Sequence, residues 1–200
     1  MAGVFRRNGS ERRIIELRTA FDSTPRYGKG LDLSGYSEHD VANLLCRYLN
    51  QLPEPVVPLT FYENFREPLR GYQWPTVDGP YRFPQDGAFD IRAFIQLYQR
   101  LILQLPPVRR HILLYILELL AVFASEAQSN QMRSGDLAAV FQRGILSHPQ
   151  HDFALSENRL NQNVVMFLII YQSSFALRAL NTTRGVQTLQ DIGRDYECMT

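Results

Sequence analysis

Lysine is nearly missing from this chain. Lys29 is the only one, and arginine supplies the other twenty basic residues. Gene base composition is explanation enough for that bias, but it leaves guanidinium to make almost any cationic contact. That group is planar, permanently charged and able to form forked hydrogen bonds. Cysteine is scarce as well. Cys46 and Cys198 stand far apart with no Cys-x-x-Cys spacing, which argues against a disulfide framework and for free thiols in a reducing compartment. Neither sign of charge is in excess: 21 basic against 20 acidic residues leave a formal net charge of +1. Nonspecific nucleic-acid binding draws on a clear basic surplus, so it is disfavoured. No run of about 18 apolar residues occurs, so no membrane span is expected. No apolar stretch follows Met1, so no signal peptide is expected either.

What is present is helical periodicity divided by proline-rich loops. Of the 200 residues, 45% are hydrophobic, enough for one domain with a substantial core. Ser10 opens a helix to about residue 22 with Ile14, Leu17 and Phe21 on one face. Ser37, with Asp40 three residues on, forms an acidic relative of the capping box. The helix behind it carries Val41, Leu44, Leu45, Tyr48, Leu49 and Leu52 as a buried stripe, and Pro53, Pro55 and Pro58 stop it. Thr60 starts a shorter helix with Phe61, Tyr62, Phe65 and Leu69. Residues 71–88 mix Gly and Pro with Tyr72, Trp74, Tyr81 and Phe83, which predicts a long irregular loop pinned by its own rings.

Periodicity resumes near Asp90 and breaks at Leu105-Pro-Pro107. The segment 108–124, with Ile112, Leu113, Ile116, Leu117, Leu120 and Phe123, is apolar over much of its circumference and is expected to be the central helix. Ser134 caps a short helix through Phe141, Gln142 to Pro149 reads as a loop, and a last helix spans about 157–177. Residues 178–200 form a polar tail expected to be disordered. No strand set is visible. The expected class is all-α, a single-domain bundle of about six to seven helices.

Enzyme signatures are missing. His39, His111, His148 and His151 are the only histidines. His148 and His151 lie three apart beside Asp152 without a second ligand cluster, so a solvated loop is the better reading and no metal site is expected. There is no phosphate-cradling Gly-x-x-x-x-Gly-Lys, no dinucleotide fingerprint and no Gly-x-Ser-x-Gly elbow. The first ten residues say more. Val4-Phe5 is an apolar anchor, Arg6 and Arg7 follow it, Asn8-Gly9 permits a turn, and Ser10 begins a helix. An arginine held between an anchor and a helix start can be aimed at an anion.

Gly3-Val-Phe-Arg-Arg-Asn-Gly9, the amphipathic helix ending in Phe21, and Leu49-Asn-Gln-Leu-Pro-Glu-Pro55 together resemble a Rho GTPase-activating (RhoGAP) domain. Leu105-Pro-Pro-Val108 agrees, as does Asn130-Gln-Met132 before Leu137-Ala-Ala-Val-Phe141. The motifs keep the family's order and spacing over residues 3–177. Phe141-Gln-Arg-Gly-Ile-Leu-Ser-His-Pro149 resembles the fungal branch.

The resemblance implies an all-helical activator, not itself an enzyme. Its partner would be a Rho, Rac or Cdc42-type small GTPase in the GTP-bound state, in cytoplasmic signal transduction. Other regions or partners would recruit it to the membrane or cell cortex. No cofactor of its own is implied; GTP and Mg2+ belong to the GTPase. Arg6, after Gly-x-Phe, occupies the arginine-finger position. Arg47, Asn50, Arg143 and Gly144 fall at or beside positions that contact the GTPase.

Four departures stand out. The family usually places a basic residue seven positions before the first proline of Leu-Pro-Glu-Pro and often another three before it; here those positions are Cys46 and, as a milder change that keeps a hydrogen-bonding group, Asn50. Arg47 is adjacent to Cys46 but points about 100° away on an ideal helix. The family often has Phe-Gly-Pro-Asn where this chain has Phe141-Gln-Arg-Gly144, so the carboxamide is replaced by Gly144. A helix normally precedes the finger loop, whereas Met1 lies five residues before Arg6. That implies an N-terminally truncated domain with its loop tethered on one side. These departures leave an alternative function: a noncatalytic module that binds Rho GTPases or scaffolds other partners. Which GTPase it serves is not encoded in the motifs.

Overall fold

The computed structural model describes residues 2–72 and 90–175. Among them the regular structure is entirely helical, in eight α-helices and three short 3-10 turns. The α-helices are α1 (Glu11–Asp22), α2 (Glu38–Asn50), α3 (Tyr62–Arg66), α4 (Ile91–Gln104), α5 (Pro107–Ser125), α6 (Ala127–Asn130), α7 (Ser134–Ile145) and α8 (Leu155–Ile170). The single turn of α6 is the element that periodicity did not announce. The expected irregular loop lies, beyond Tyr72, outside the described residues, as do the expected tail and Cys198. No described helix is long and apolar enough to cross a membrane.

α2 begins as its sequence predicts. The Asp40 N–H donates to Ser37 Oγ, and Asp40 Oδ2 accepts from the Ser37 N–H at 2.8 Å, so each satisfies an orphan group of the other. The buried face differs from the expected stripe. Ala42 and Leu49 are buried and Cys46 packs against the core, while Val41 is exposed and Tyr48 is 62% exposed. The reason is packing on two sides: α1 lies against one flank of α2 and α7 against another. Residues 42, 46 and 49 share the resulting inward face. α1 touches little but α2, so only Ile14 and Leu17 are buried in it. Phe21, expected on the same face, is 44% exposed.

The central helix is α8, not α5. Val164 to Ile169 are six consecutive buried residues of α8, and α7, α5 and α3 all pack around it. α5 buries Leu113, Ile116, Leu117 and Leu120 but leaves Ile112, Val122 and Tyr115 toward solvent, Tyr115 at 72% exposure. Apolar composition misled here because α5 carries more hydrophobic residues than its single buried face needs.

α7 also runs further than expected, through Ile145. Gly144 is inside the helix, and a Cβ there would sit 2.7 Å from Leu49 Cβ and 3.2 Å from the Leu49 carbonyl carbon. The glycine is a seat for α2, not a helix stop. The chain after α2 fastens to the same place: Val56 N–H donates to Gly144 O at 3.0 Å and Val57 N–H to Ile145 O at 2.9 Å.

Candidate functional site

The segment 3–9 is pinned along its length. Gly3 N–H donates to Asn130 O at 2.7 Å, and the N–H groups of Arg6 and Arg7 both return to Gly3 O, at 2.9 and 3.0 Å. Asn130 is itself buried and fixed, its amide donating to Phe123 O and its Oδ1 accepting from the Met132 N–H, each at 2.7 Å. Val4 is buried. The ring of Phe5 stands edge-on to Phe123 and to Phe141, both with centroids 4.9 Å away, a preferred aromatic geometry. The expectation of a loop tethered on one side is therefore corrected: the segment leading to Arg6 is bound to α5, α6 and α7.

α2 holds the other end. His39 Nδ1 donates to Val4 O at 3.2 Å and Asn43 Nδ2 to Arg7 O at 3.0 Å. His39, Asn43 and Arg47 are four apart and lie on one face of the helix. Arg47 continues the row by forming a forked ion pair with Glu11 at the start of α1. That pairing lowers the Glu11 carboxyl below its usual range and raises Arg47. Gly9 lets the loop cross the first turn of α2, since a Cβ there would lie 2.8 Å from Asp40 Cα.

Asp40 is the knot of this corner. Its carboxylate has no exposed surface. It accepts from the Ser10 N–H at 2.6 Å, from Ser37 N–H and Oγ at 2.8 Å, and from Arg13 Nε at 2.7 Å. Burial alone would push its carboxyl up. The hydrogen bonds from Ser37, Arg13 and Ser10 outweigh that and hold it far below the ordinary carboxylate range. Ser10, expected to cap α1 with its hydroxyl, makes no side-chain cap; its N–H is tied to Asp40 instead.

Out of this fixed frame Arg6 projects into solvent. Its side chain is 54% exposed, and Nη2 pairs with Asp136 Oδ1 in the first turn of α7. Asp136 Oδ2 accepts from the Arg133 N–H at 3.0 Å.

The other expected contact positions divide. Asn50 is exposed at the end of α2. Arg143 is exposed on α7, with Nη2 3.7 Å from Asp152 Oδ2. Gly144 is buried against Leu49. Cys46 is half-buried, and desolvation pushes its thiol up to about 11, so it is neutral at pH 7 and supplies no charge. Arg47 does not replace it, because Glu11 occupies its fork. His39, Asn43 and Asp136 were not singled out from sequence. The four-residue spacing of His39, Asn43 and Arg47 was a legible signal; the Asp136 contact spans 130 positions and left none.

His148 and His151 serve packing. Tyr62 OH shares a hydrogen bond with His151 Nδ1 at 3.0 Å and accepts from Asn161 Nδ2 at 3.2 Å, with the His148 ring centroid 5.1 Å from that of Tyr62. Arg66 lies over the Tyr62 ring, its Cζ 4.5 Å from the centroid. Among the described residues no group of three or more His, Cys, Asp or Glu could hold a metal ion.

Comparison with known proteins agrees with this architecture. A family model described as the RhoGAP domain matches residues 1–150. Rho-GTPase-activating protein 5 of Schizosaccharomyces pombe is 42% identical over 173 residues, 86% of this chain and 44% of that protein. Rho-GTPase-activating protein BAG7 of Saccharomyces cerevisiae is 35% identical over 172 residues, 86% of this chain and 39% of its own length. The chain thus spans less than half the length of these curated relatives. The fold is also that of the BH domain from Graf, the GTPase regulator associated with focal adhesion kinase. That match has a TM-score of 0.68 at 18% identity, over 88% of this chain and 84% of that one. With the family model over residues 1–150, these relatives and the all-helical body in agreement, the chain belongs to the RhoGAP family.

Proposed function

We propose that this protein binds a Rho-family GTPase in its GTP-bound state and accelerates hydrolysis by inserting Arg6 into the nucleotide pocket. One observation carries the reading: an exposed guanidinium on a backbone locked by Gly3, Val4 and Phe5. A group held in advance loses little on reaching the transition state, so its charge acts on the phosphoryl oxygens as negative charge develops there. Seating the loop also excludes water from the pocket. A finger supplied in trans is worth on the order of 10³–10⁵ in rate, about 4–7 kcal/mol of barrier. Lysine lacks the planar fork, so Arg6→Lys should lose most of it.

Further contacts with the GTPase would come from Asn50 through its carboxamide, and from Arg47 and Arg143 through their guanidinium groups. The last two are held by Glu11 and Asp152 in the free protein. Gly144 contributes by seating α2, and so by placing Asn50.

A second reading has its own observation. Cys46 is neutral where the family usually has a cation, and the adjacent Arg47 is paired with Glu11, which favours binding without acceleration. Single-turnover GTP hydrolysis by a Rho-type GTPase separates the two. The wild type should accelerate it and Arg6→Ala should return it close to the intrinsic rate. Binding with no acceleration, indifferent to Arg6→Ala, would establish the noncatalytic reading.

A further inference from the structure

We infer that Asp136 is a positioning residue for Arg6, holding the finger aimed before the GTPase arrives. This rests on Arg6 being the finger. Among the described residues Asp136 is the only carboxylate paired with the Arg6 guanidinium. The carboxylate is oriented, because its second oxygen accepts from the Arg133 N–H at 3.0 Å. It also lies in the first turn of α7, where the helix dipole favours negative charge. A long arginine side chain otherwise samples many rotamers, and each wrong one must be abandoned before the transition state.

The pairing aims the finger without disarming it. Only Nη2 is engaged, and the side chain remains 54% exposed. Guanidinium carries five N–H donors, so Nη1 and Nε stay open to an incoming phosphate while Nη2 is held. Asp136 is 15% exposed but its partner lies half in water, so the pair is modest in strength and persists while a phosphoryl group takes the open donors. Asp136 therefore biases the free finger without retarding its transfer.

The variant is Asp136→Asn, whose amide oxygen still accepts the Arg133 N–H while the charge is lost. Single-turnover hydrolysis is followed over a range of activator concentrations with a GTP-loaded Rho-type GTPase. The maximal rate should fall about two- to fivefold, the scale of one exposed pair, with the half-saturating concentration unchanged. In the free variant, ¹⁵N relaxation of the Arg6 Nε–H should show greater mobility, while amide exchange of residues 134–137 stays as in the wild type. A maximal rate equal to or above the wild type overturns the inference, as does an Arg6 side chain no more mobile than before. Those results leave the finger reading intact. A wild type that is no faster than Arg6→Ala overturns the finger reading, and this inference with it.

Discussion

Arg6 and Arg66 are the same side chain used in opposite ways. Arg66 has no exposed surface. Its Nη1 donates to Glu63 at 2.7 Å, its Nη2 pairs with Glu157 on α8, and its Cζ lies over Tyr62. Arg6 meets one carboxylate at the surface and keeps most of its donors free. Desolvation separates the roles. A buried guanidinium is held by what its removal would leave unpaired, whereas an exposed one can exchange its partner for a better anion at small cost. Around Arg6 rigidity belongs first to the backbone, with one ion pair to the side chain; around Arg66 the side chain itself is enclosed.

The largest effect should follow from Arg66→Ala. It strands Glu157 and empties the space under Tyr62, and it should cost about 3–4 kcal/mol in urea unfolding. Arg6→Ala should stay within about 0.5 kcal/mol. Equal costs would erase the contrast.

Gly144→Ala tests whether the frame around Arg6 is as unyielding as the Arg66 cluster. Alanine favours a helix over glycine by about 1 kcal/mol, but its Cβ would lie 2.7 Å from Leu49 Cβ. Overpacking of that kind costs about 1–3 kcal/mol, so the thermal midpoint should fall. A rise would show that α2 and α7 can slide apart.

Acid should loosen the corner at Asp40. Its carboxyl is depressed in the folded state, so below its ordinary value near 4 the unfolded chain binds the proton more readily. Asp40 stabilises the fold fully above that value, and the contribution is lost as pH falls through the depressed one. Urea midpoints should therefore drop with acid below about pH 4, and less steeply in Asp40→Asn. Identical slopes would place the acid sensitivity elsewhere.

The smallest change is expected from Cys46→Arg. From a half-buried position the arginine stem can reach the surface with its charge in water. It should raise single-turnover acceleration about two- to fivefold, the scale of one added ion pair. A lower rate would mean that the thiol is needed for packing beside Ala42 and Leu49.

Much of this was legible in the sequence, for local reasons. The capping box at Ser37 and Asp40, the break at Pro53 and the anchor Val4-Phe5 depend on neighbours a few residues away, and all three stand. Errors arose where the decisive neighbour was distant. Gly144 looked like a loop residue because its reason for being small, Leu49, is 95 positions off in the chain. α5 looked central because hydrophobicity records what can be buried and not what is. Asp40 read as a cap alone, since nothing in the sequence shows Arg13 and Ser10 returning to it. The loop seemed loosely tethered because the docking of Gly3 on Asn130 is written in neither segment alone.

Asp40 starts two helices with one carboxylate, which has a consequence for the connector between them. Residues 23–35 are almost all at the surface, and α1 is joined to α2 by Asp40 and by Arg47 with Glu11 rather than by that stretch. Lengthening such a connector costs little in closure entropy. The connector is thus the natural place to insert a reporter domain or open new chain ends, with Arg6 left undisturbed on its anchored base.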